Sequence, residues 1–290
     1  MTDNSPVLVR GAVQFDLASS ITGRTYRIFV FKPAAPPPPE GYPVVVVLDG
    51  NLTFATAATQ SGAFGLRGGR CALVVGVGYP VEDDFSPVFL RNRDLTPATE
   101  TDDLPRHSAA PPPRPEDYGG AEAFYRFLTE ELRPAIAAAF PVDPADQSLY
   151  GHSLAGLFAL GVLFGHPEAF RTFVVSSPSI WWNRRAVLAG EAAFAAKVEA
   201  GEAAPRVLVM VGEHEEQVPE TPLPGMTRAE METLMAESRM VGNAADLAAR
   251  LAAIQGGPGY QVRYQLFQDE DHLTVLPASI SRALTFALRG

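Results

Sequence analysis

The stretch Ser148-Leu149-Tyr150-Gly151-His152-Ser153-Leu154-Ala155-Gly156-Leu157-Phe158-Ala159-Leu160 limits what this chain can fold into more than any other. A short apolar approach ends in small residues and resumes as an apolar run from Leu154 to Leu163, which predicts a strand, a sharp turn and a buried helix. A serine on such a turn is forced outward with its hydroxyl exposed. Beside it lie the N–H groups of the helix's first turn, which can bind a developing negative charge. That is the geometry of a nucleophile elbow. The usual pattern is Gly-x-Ser-x-Gly, whereas here the fifth place is Ala155 and the glycine follows at Gly156. Small residues are needed because strand and helix nearly touch, and alanine still fits. The competing reading is a buried Gly/Ser/Ala-rich helix start in another α/β protein.

Around this stretch the pattern repeats. Pro43 to Asn51 is a continuous β-branched run closed by turn residues, and Cys71 to Gly78 is a second; both read as strands buried on two faces. Leu52 to Gly65 supplies the crossover helix between them. A helix over 121–140, the strand into the elbow and the helix after Ser153 follow. Next come a strand Thr172 to Ser176, a helix from Arg184 to Val198, a strand Arg206 to Val211, a helix Ala244 to Ile254, a strand Tyr260 to Phe267 and a closing helix. Upstream, Val7 to Phe15 and Arg24 to Phe31 alternate and predict an antiparallel pair at one edge, followed by a proline-rich surface connection from Pro33 to Pro39. The expectation is a mostly parallel sheet wrapped by helices in one domain, 1–290.

Two segments break the rhythm, 79–118 with its Pro111-Pro112-Pro113 cluster and 213–242 with Thr227 as N-cap and Glu230 three residues on. Both leave the C-terminal ends of predicted strands, where loops line the binding crevice of an open α/β sheet, so they read as substrate walls or a lid.

Composition narrows the function. A net charge of −10 without a long basic run repels a nucleic-acid backbone. The start Met1 to Pro6 lacks a basic segment followed by an apolar one, and no apolar run approaches the roughly 18 residues of a membrane span. A soluble, cytoplasmic protein is expected. Cys71 is the only cysteine, which excludes an intrachain disulfide and a thiolate cluster; a buried, inert thiol is the expectation.

A serine hydroxyl needs a base within hydrogen-bond reach, usually a histidine oriented by a carboxylate. Among His107, His152, His166, His214 and His272, the last is favoured, because it follows the final predicted strand and a loop can bring it back over the elbow. His152 adjoins the serine, where the turn should direct neighbouring side chains apart. Chain order in hydrolases of this type runs serine, acid, histidine. The strand ending in Gly212-Glu213-His214-Glu215-Glu216 then supplies the acid, with Glu215 first, Glu213 second and Glu216 third. His214 among glutamates invites a metal, but no second histidine at helical spacing supports one, and no glycine-rich phosphate cradle is present; neither metal nor organic cofactor is expected. The oxyanion requires two donors: the N–H of Leu154 and one from the loop after Val44 to Leu48, where Gly50 allows close approach.

These residues resemble the α/β-hydrolase superfamily, and within it the esterases of ferric siderophore trilactones. The matching strings are Leu48-Asp49-Gly50-Asn51, Arg91-Asn92-Arg93-Asp94-Leu95-Thr96-Pro97, Gly151 to Phe158, Ser176-Ser177-Pro178-Ser179-Ile180-Trp181-Trp182-Asn183, Gly212-Glu213-His214-Glu215 and Asp271-His272. The resemblance implies Ser153 as nucleophile, His272 as base, and Gly50 and Leu154 as oxyanion donors. Some members use a serine-histidine dyad. Arg91 or Arg93 then either faces an anionic substrate or braces its loop against an aspartate. The resemblance implies Trp181 and Trp182 as one wall of the acyl pocket, against a reading in which at least one packs beneath the loop instead. The expectation is a serine esterase acting on a small-molecule ester through an acyl-enzyme. The alternatives are a hydrolase-fold protein that only binds, and an acyltransferase or thioesterase.

Overall fold

A computed structural model describes residues 7–66, 69–82, 86–98, 114–220 and 225–289. Residues Met1 to Pro6, His107, the Pro111 to Pro113 cluster and the parts of the two expected insertions at 83–85, 99–113 and 221–224 lie outside them.

Alternating residues build one edge: β1 (Ala12–Ala18) and β2 (Thr25–Phe31) pair antiparallel. The first strand starts later than its alternation suggests. Gly11 takes φ 82°, and the Ala12 N–H bonds back to the Val9 carbonyl at 3.1 Å, so the chain turns before pairing begins. The β-branched run forms β3 (Tyr42–Leu48), buried throughout, followed by α1 (Gly50–Gly65) and the equally buried β4 (Leu73–Gly78). Helix α2 (Ser86–Leu95) occupies part of the first expected insertion.

The helix expected over 121–140 forms as α3 (Ala121–Arg126) and α4 (Arg133–Ala139), joined by a π-helical turn, Phe127–Leu132. Pro134 has no N–H for the α-helical bond to Glu130, and the wider turn abuts it. Then come β5 (Val142–His152), α5 (Leu154–Gly165) and β6 (Thr172–Ser176). The helix expected from Arg184 is broken. In the short α6 (Trp182–Arg185), Asn183 and Arg184 adopt left-handed angles, Arg185 has φ 66°, and the regular helix is α7 (Glu191–Glu199). The remaining elements are β7 (Arg206–Gly212), α8 (Arg228–Ser238), α9 (Met240–Ala253), β8 (Gln261–Phe267) and α10 (Val275–Leu288). Thr227 and Glu230 form the expected capping box on α8.

Among the described residues the strands form one sheet in the order β1-β2-β4-β3-β5-β6-β7-β8, antiparallel at β1-β2 and β2-β4 and parallel elsewhere. Val45, Val47, Val74 and Leu208 face α1 and α10, whereas Val44, Val46, Leu149 and Val207 belong to the core shared with α3, α5, α7 and α9. Each such side chain contributes about 1.5–3 kcal/mol by burial, so a one-residue slip of a central strand would be prohibitive on either face. The C-terminal ends of β3, β5, β6, β7 and β8 therefore stand together at one edge. Cys71 is buried, and burial raises its thiol pKa. Among the described residues no helix is long and apolar enough to cross a membrane.

Candidate active site

Ser153 caps the end of β5 with φ 60° and ψ −120°, a conformation that costs about 1–3 kcal/mol unless its surroundings impose it. They do. Its N–H donates to the Ser176 carbonyl at 3.0 Å, and its own carbonyl accepts from Leu157 at 2.9 Å and from Ser179 at 3.1 Å. A Cβ on Gly151 would run into the Ala155 carbonyl, and one on Gly156 would lie 2.8 Å from the Ser176 oxygen. The close approach thus falls on Gly151 and Gly156, and Ala155 is accommodated fully buried.

The loop after β8 brings His272 onto this elbow. Its Nε2 lies 3.1 Å from Ser153 Oγ, and its Nδ1 lies 2.7 Å from Glu215 Oε2. A carboxylate only accepts, so the proton sits on Nδ1 and Nε2 is left to accept from the serine hydroxyl. Glu215 is 5 % exposed, and its other oxygen accepts from the Gly212 N–H at 2.7 Å and the Ser177 hydroxyl at 2.5 Å. Glu213 is exposed and accepts instead from the Asp269 N–H at 3.1 Å, while Glu216 accepts from the Gly242 N–H. Of the three acidic candidates, Glu215 meets the histidine. Glu213 and His214 after β7 and Asp269 after β8 place ligand-capable atoms within 4.8 Å of one another, with the His214 ring bonded to Gln217.

The two expected oxyanion donors start helices that leave adjacent strands on opposite faces of the sheet. Gly50 opens α1 after β3 and Leu154 opens α5 after β5, and β3 pairs with β5. Each N–H is therefore in a helical first turn, without an intrahelical acceptor. Gly50 is required for a reason other than substrate approach: a Cβ there would lie 2.9 Å from the Gly76 carbonyl carbon, where α1 crosses β4. Asp49, in front of it at φ 53°, is gripped bidentately by Arg91, Nε to Oδ1 at 2.8 Å and Nη2 to Oδ2 at 2.7 Å. The same Nη2 reaches the His152 carbonyl at 3.3 Å, tying the Gly50 turn to the elbow. Arg93 donates to the Glu116 carbonyl. Trp182 is buried against Leu157, its ring centroid 5.2 Å from that of Tyr118, whereas Trp181 is partly exposed at the edge of the same cluster as Leu154.

Three contributors escaped the sequence reading. Ser177, itself at φ 43°, anchors Glu215, and buried Ser179 places Oγ 3.5 Å from Ser153 Oγ. The hydroxyl-rich run Ser176-Ser177-Pro178-Ser179, directly after a parallel strand at the elbow's edge, was the available signal. The third is His152, whose ring lies 4.7 Å from that of His272 rather than pointing away. Burial, then the neighbouring His272 and Arg91 charges, hold His152 well below the ordinary histidine range.

Comparison with known proteins places these features in context. A family model described as "Putative esterase" matches residues 19–245. Over 281 residues the chain is 36% identical to the ferri-bacillibactin esterase BesA of Bacillus subtilis (strain 168), covering 94% of this chain and 88% of that protein. Over 250 residues it is 34% identical to the siderophore triacetylfusarinine C esterase of Aspergillus fumigatus, covering 84% of this chain and 80% of the relative. The crystal structure of the BES protein from Bacillus cereus is similar with a TM-score of 0.84 and 32% identity over the whole of both chains.

Proposed function

We propose a mechanism and a substrate class from one premise: this chain belongs to the Putative esterase family. It is a serine esterase of the α/β-hydrolase fold. In the proposed mechanism Ser153 Oγ attacks the ester carbonyl carbon while its proton passes to His272 Nε2. The oxyanion is held by the N–H groups of Leu154 and Gly50, each worth on the order of 3 kcal/mol to the transition state. The carbon–oxygen bond to the alcohol then breaks and His272 protonates the leaving oxygen. Water next gives its proton to His272 and attacks the acyl-enzyme, releasing the acid and restoring Ser153. Glu215 fixes the tautomer of His272 and stabilises its imidazolium. The observation that carries this reading is the chain of contacts Ser153–His272–Glu215, 3.1 and 2.7 Å long, drawn from three separate strand ends.

The substrates we propose are siderophore trilactones, a class supported by the names of the relatives. Within one domain, the described parts of 79–118 and 213–242 would wall the crevice, with Trp181 toward the acyl group and Trp182 supporting it from beneath. Arg91 is assigned to bracing the oxyanion turn rather than to gripping substrate, because its Nε and Nη2 are committed to Asp49. The test compares wild type with Ser153→Ala on p-nitrophenyl acetate and on trilactone siderophores with and without iron. Loss of both activities on substitution, with higher kcat/KM for the trilactones, is expected. Retained activity in Ser153→Ala overturns the mechanism, and preference for simple acyl esters overturns the substrate class.

A further inference from the structure

We infer that His152 is a positioning residue for the base: its imidazole clamps the loop carrying His272 against the elbow, on the flank that Glu215 does not reach. This rests on the Ser153–His272–Glu215 reading above.

The need for a clamp follows from where His272 sits. It lies in the connection between β8, which ends at Phe267, and α10, which starts at Val275. Its side chain is 39% exposed, so one flank opens to solvent. Asp271 stiffens the following turn by accepting from the Leu273 and Thr274 N–H groups, both at 2.8 Å, but nothing in that turn fixes the ring. Glu215 holds Nδ1 alone. A ring tethered at Cβ and at one nitrogen can still swing off the serine.

His152 supplies the opposing surface. It ends β5, is itself buried, and packs its ring at 4.7 Å and 38° to that of His272. Its Nδ1 lies 3.2 Å from the Ser176 hydroxyl on the adjoining strand. A neutral imidazole meets the Ser176 hydroxyl through Nδ1 while its ring lies against that of His272. The groups facing it are the His272 ring, the Arg91 guanidinium at its carbonyl, the Ser176 hydroxyl and, beyond Arg91, Asp49. Two of those are cationic or become so during turnover, so the neutral ring adds no repulsion as His272 takes the serine proton. The His152 main chain meanwhile receives Arg91, so a single residue joins the base, the nucleophile and the brace on the Gly50 turn.

Misplacing a reacting group by about 1 Å costs about a hundredfold in rate, and this sets the expected effect. His152→Phe keeps the volume but removes both polar atoms, and His152→Gln keeps a donor and an acceptor. Measured as kcat per active site titrated with a fluorophosphonate, on p-nitrophenyl acetate, His152→Phe should lose about ten- to a hundredfold with KM changed less than about threefold. His152→Gln should recover at least about fivefold over it. Circular dichroism confirms the fold, and Gln alone decides if Phe fails to fold, a loss of less than about twofold or more than about a hundredfold against wild type then counting against the clamp. Wild-type kcat in folded His152→Phe, or no recovery in His152→Gln, overturns the inference. Ser153→Ala in parallel separates the two claims: inactivity there beside a fully active His152→Phe removes the clamp alone, whereas an active Ser153→Ala removes the mechanism beneath it.

Discussion

Replacing Glu215 by glutamine changes one atom type in a buried site and tests the orientation of the base. Both carboxylate oxygens are in use, Oε2 by His272 at 2.7 Å and Oε1 by Gly212 and Ser177 at 2.7 and 2.5 Å. An amide cannot accept at both ends. With its NH₂ toward His272, the imidazole must offer Nδ1 as an acceptor, which leaves Nε2 protonated and unable to take the serine proton. With its NH₂ toward Gly212, two donors face each other without water, at about 1–3 kcal/mol. Either way the charge-assisted bond to the imidazolium is lost, about 1.5–3 kcal/mol more. At about 1.36 kcal/mol per factor of ten, kcat on p-nitrophenyl acetate should fall about 10²–10⁴-fold. KM should stay within about threefold, since Glu215 touches no substrate. Glu213→Gln, changing an exposed group that meets Asp269 instead, should keep kcat within about twofold. A Glu215→Gln enzyme with normal thermal stability and kcat within about threefold of wild type would refute the orienting role and leave a dyad.

Other consequences follow from the brace and the buried histidine. Arg91→Ala leaves Asp49 unpaired at a left-handed turn and should lower kcat about tenfold or more on a neutral ester, with reduced melting temperature; a rise confined to KM for anionic esters would instead mark Arg91 as a substrate contact. His152, neutral when folded because burial foremost, with His272 and Arg91 beside it, depresses its pKa, titrates near its ordinary value only when unfolded. The unfolded chain therefore binds the extra proton below about pH 6.5, and stability should fall as pH drops through that range, by at most about 1.4 kcal/mol per unit. Urea unfolding at pH 7.5 and 5 should show this loss in wild type and a smaller one in His152→Gln; equal losses would contradict the assignment.

The sequence disclosed what periodicity and chain order encode. The runs Pro43 to Asn51 and Cys71 to Gly78 read as strands buried on two faces, Thr172 to Ser176 was bounded correctly, and the order serine, acid, histidine placed Ser153, Glu215 and His272 at strand ends that the parallel sheet brings together. What stayed hidden depends on side-chain direction and on backbone that breaks period. Nothing in Glu213-His214-Glu215 says which carboxylate turns inward; the tight turn after Gly212, crossing the Glu270 carbonyl, decides it. Asn183 tolerates left-handed angles, but nothing in Arg184 or Arg185 favours continuing them, so a helix was expected there. Arg91 and Asp49 are 42 positions apart, and their pairing became visible only once α2 was laid across the β3 turn.

The central claim is that Ser153 is an activated nucleophile, and covalent capture tests it most directly. The protein is treated with a fluorophosphonate at neutral pH, digested, and its peptides are weighed by mass spectrometry. The account predicts one adduct, on the peptide containing Ser153, forming far more slowly in Glu215→Gln. An unmodified protein, or an adduct on Ser177 or Ser179 with Ser153 untouched, would contradict it.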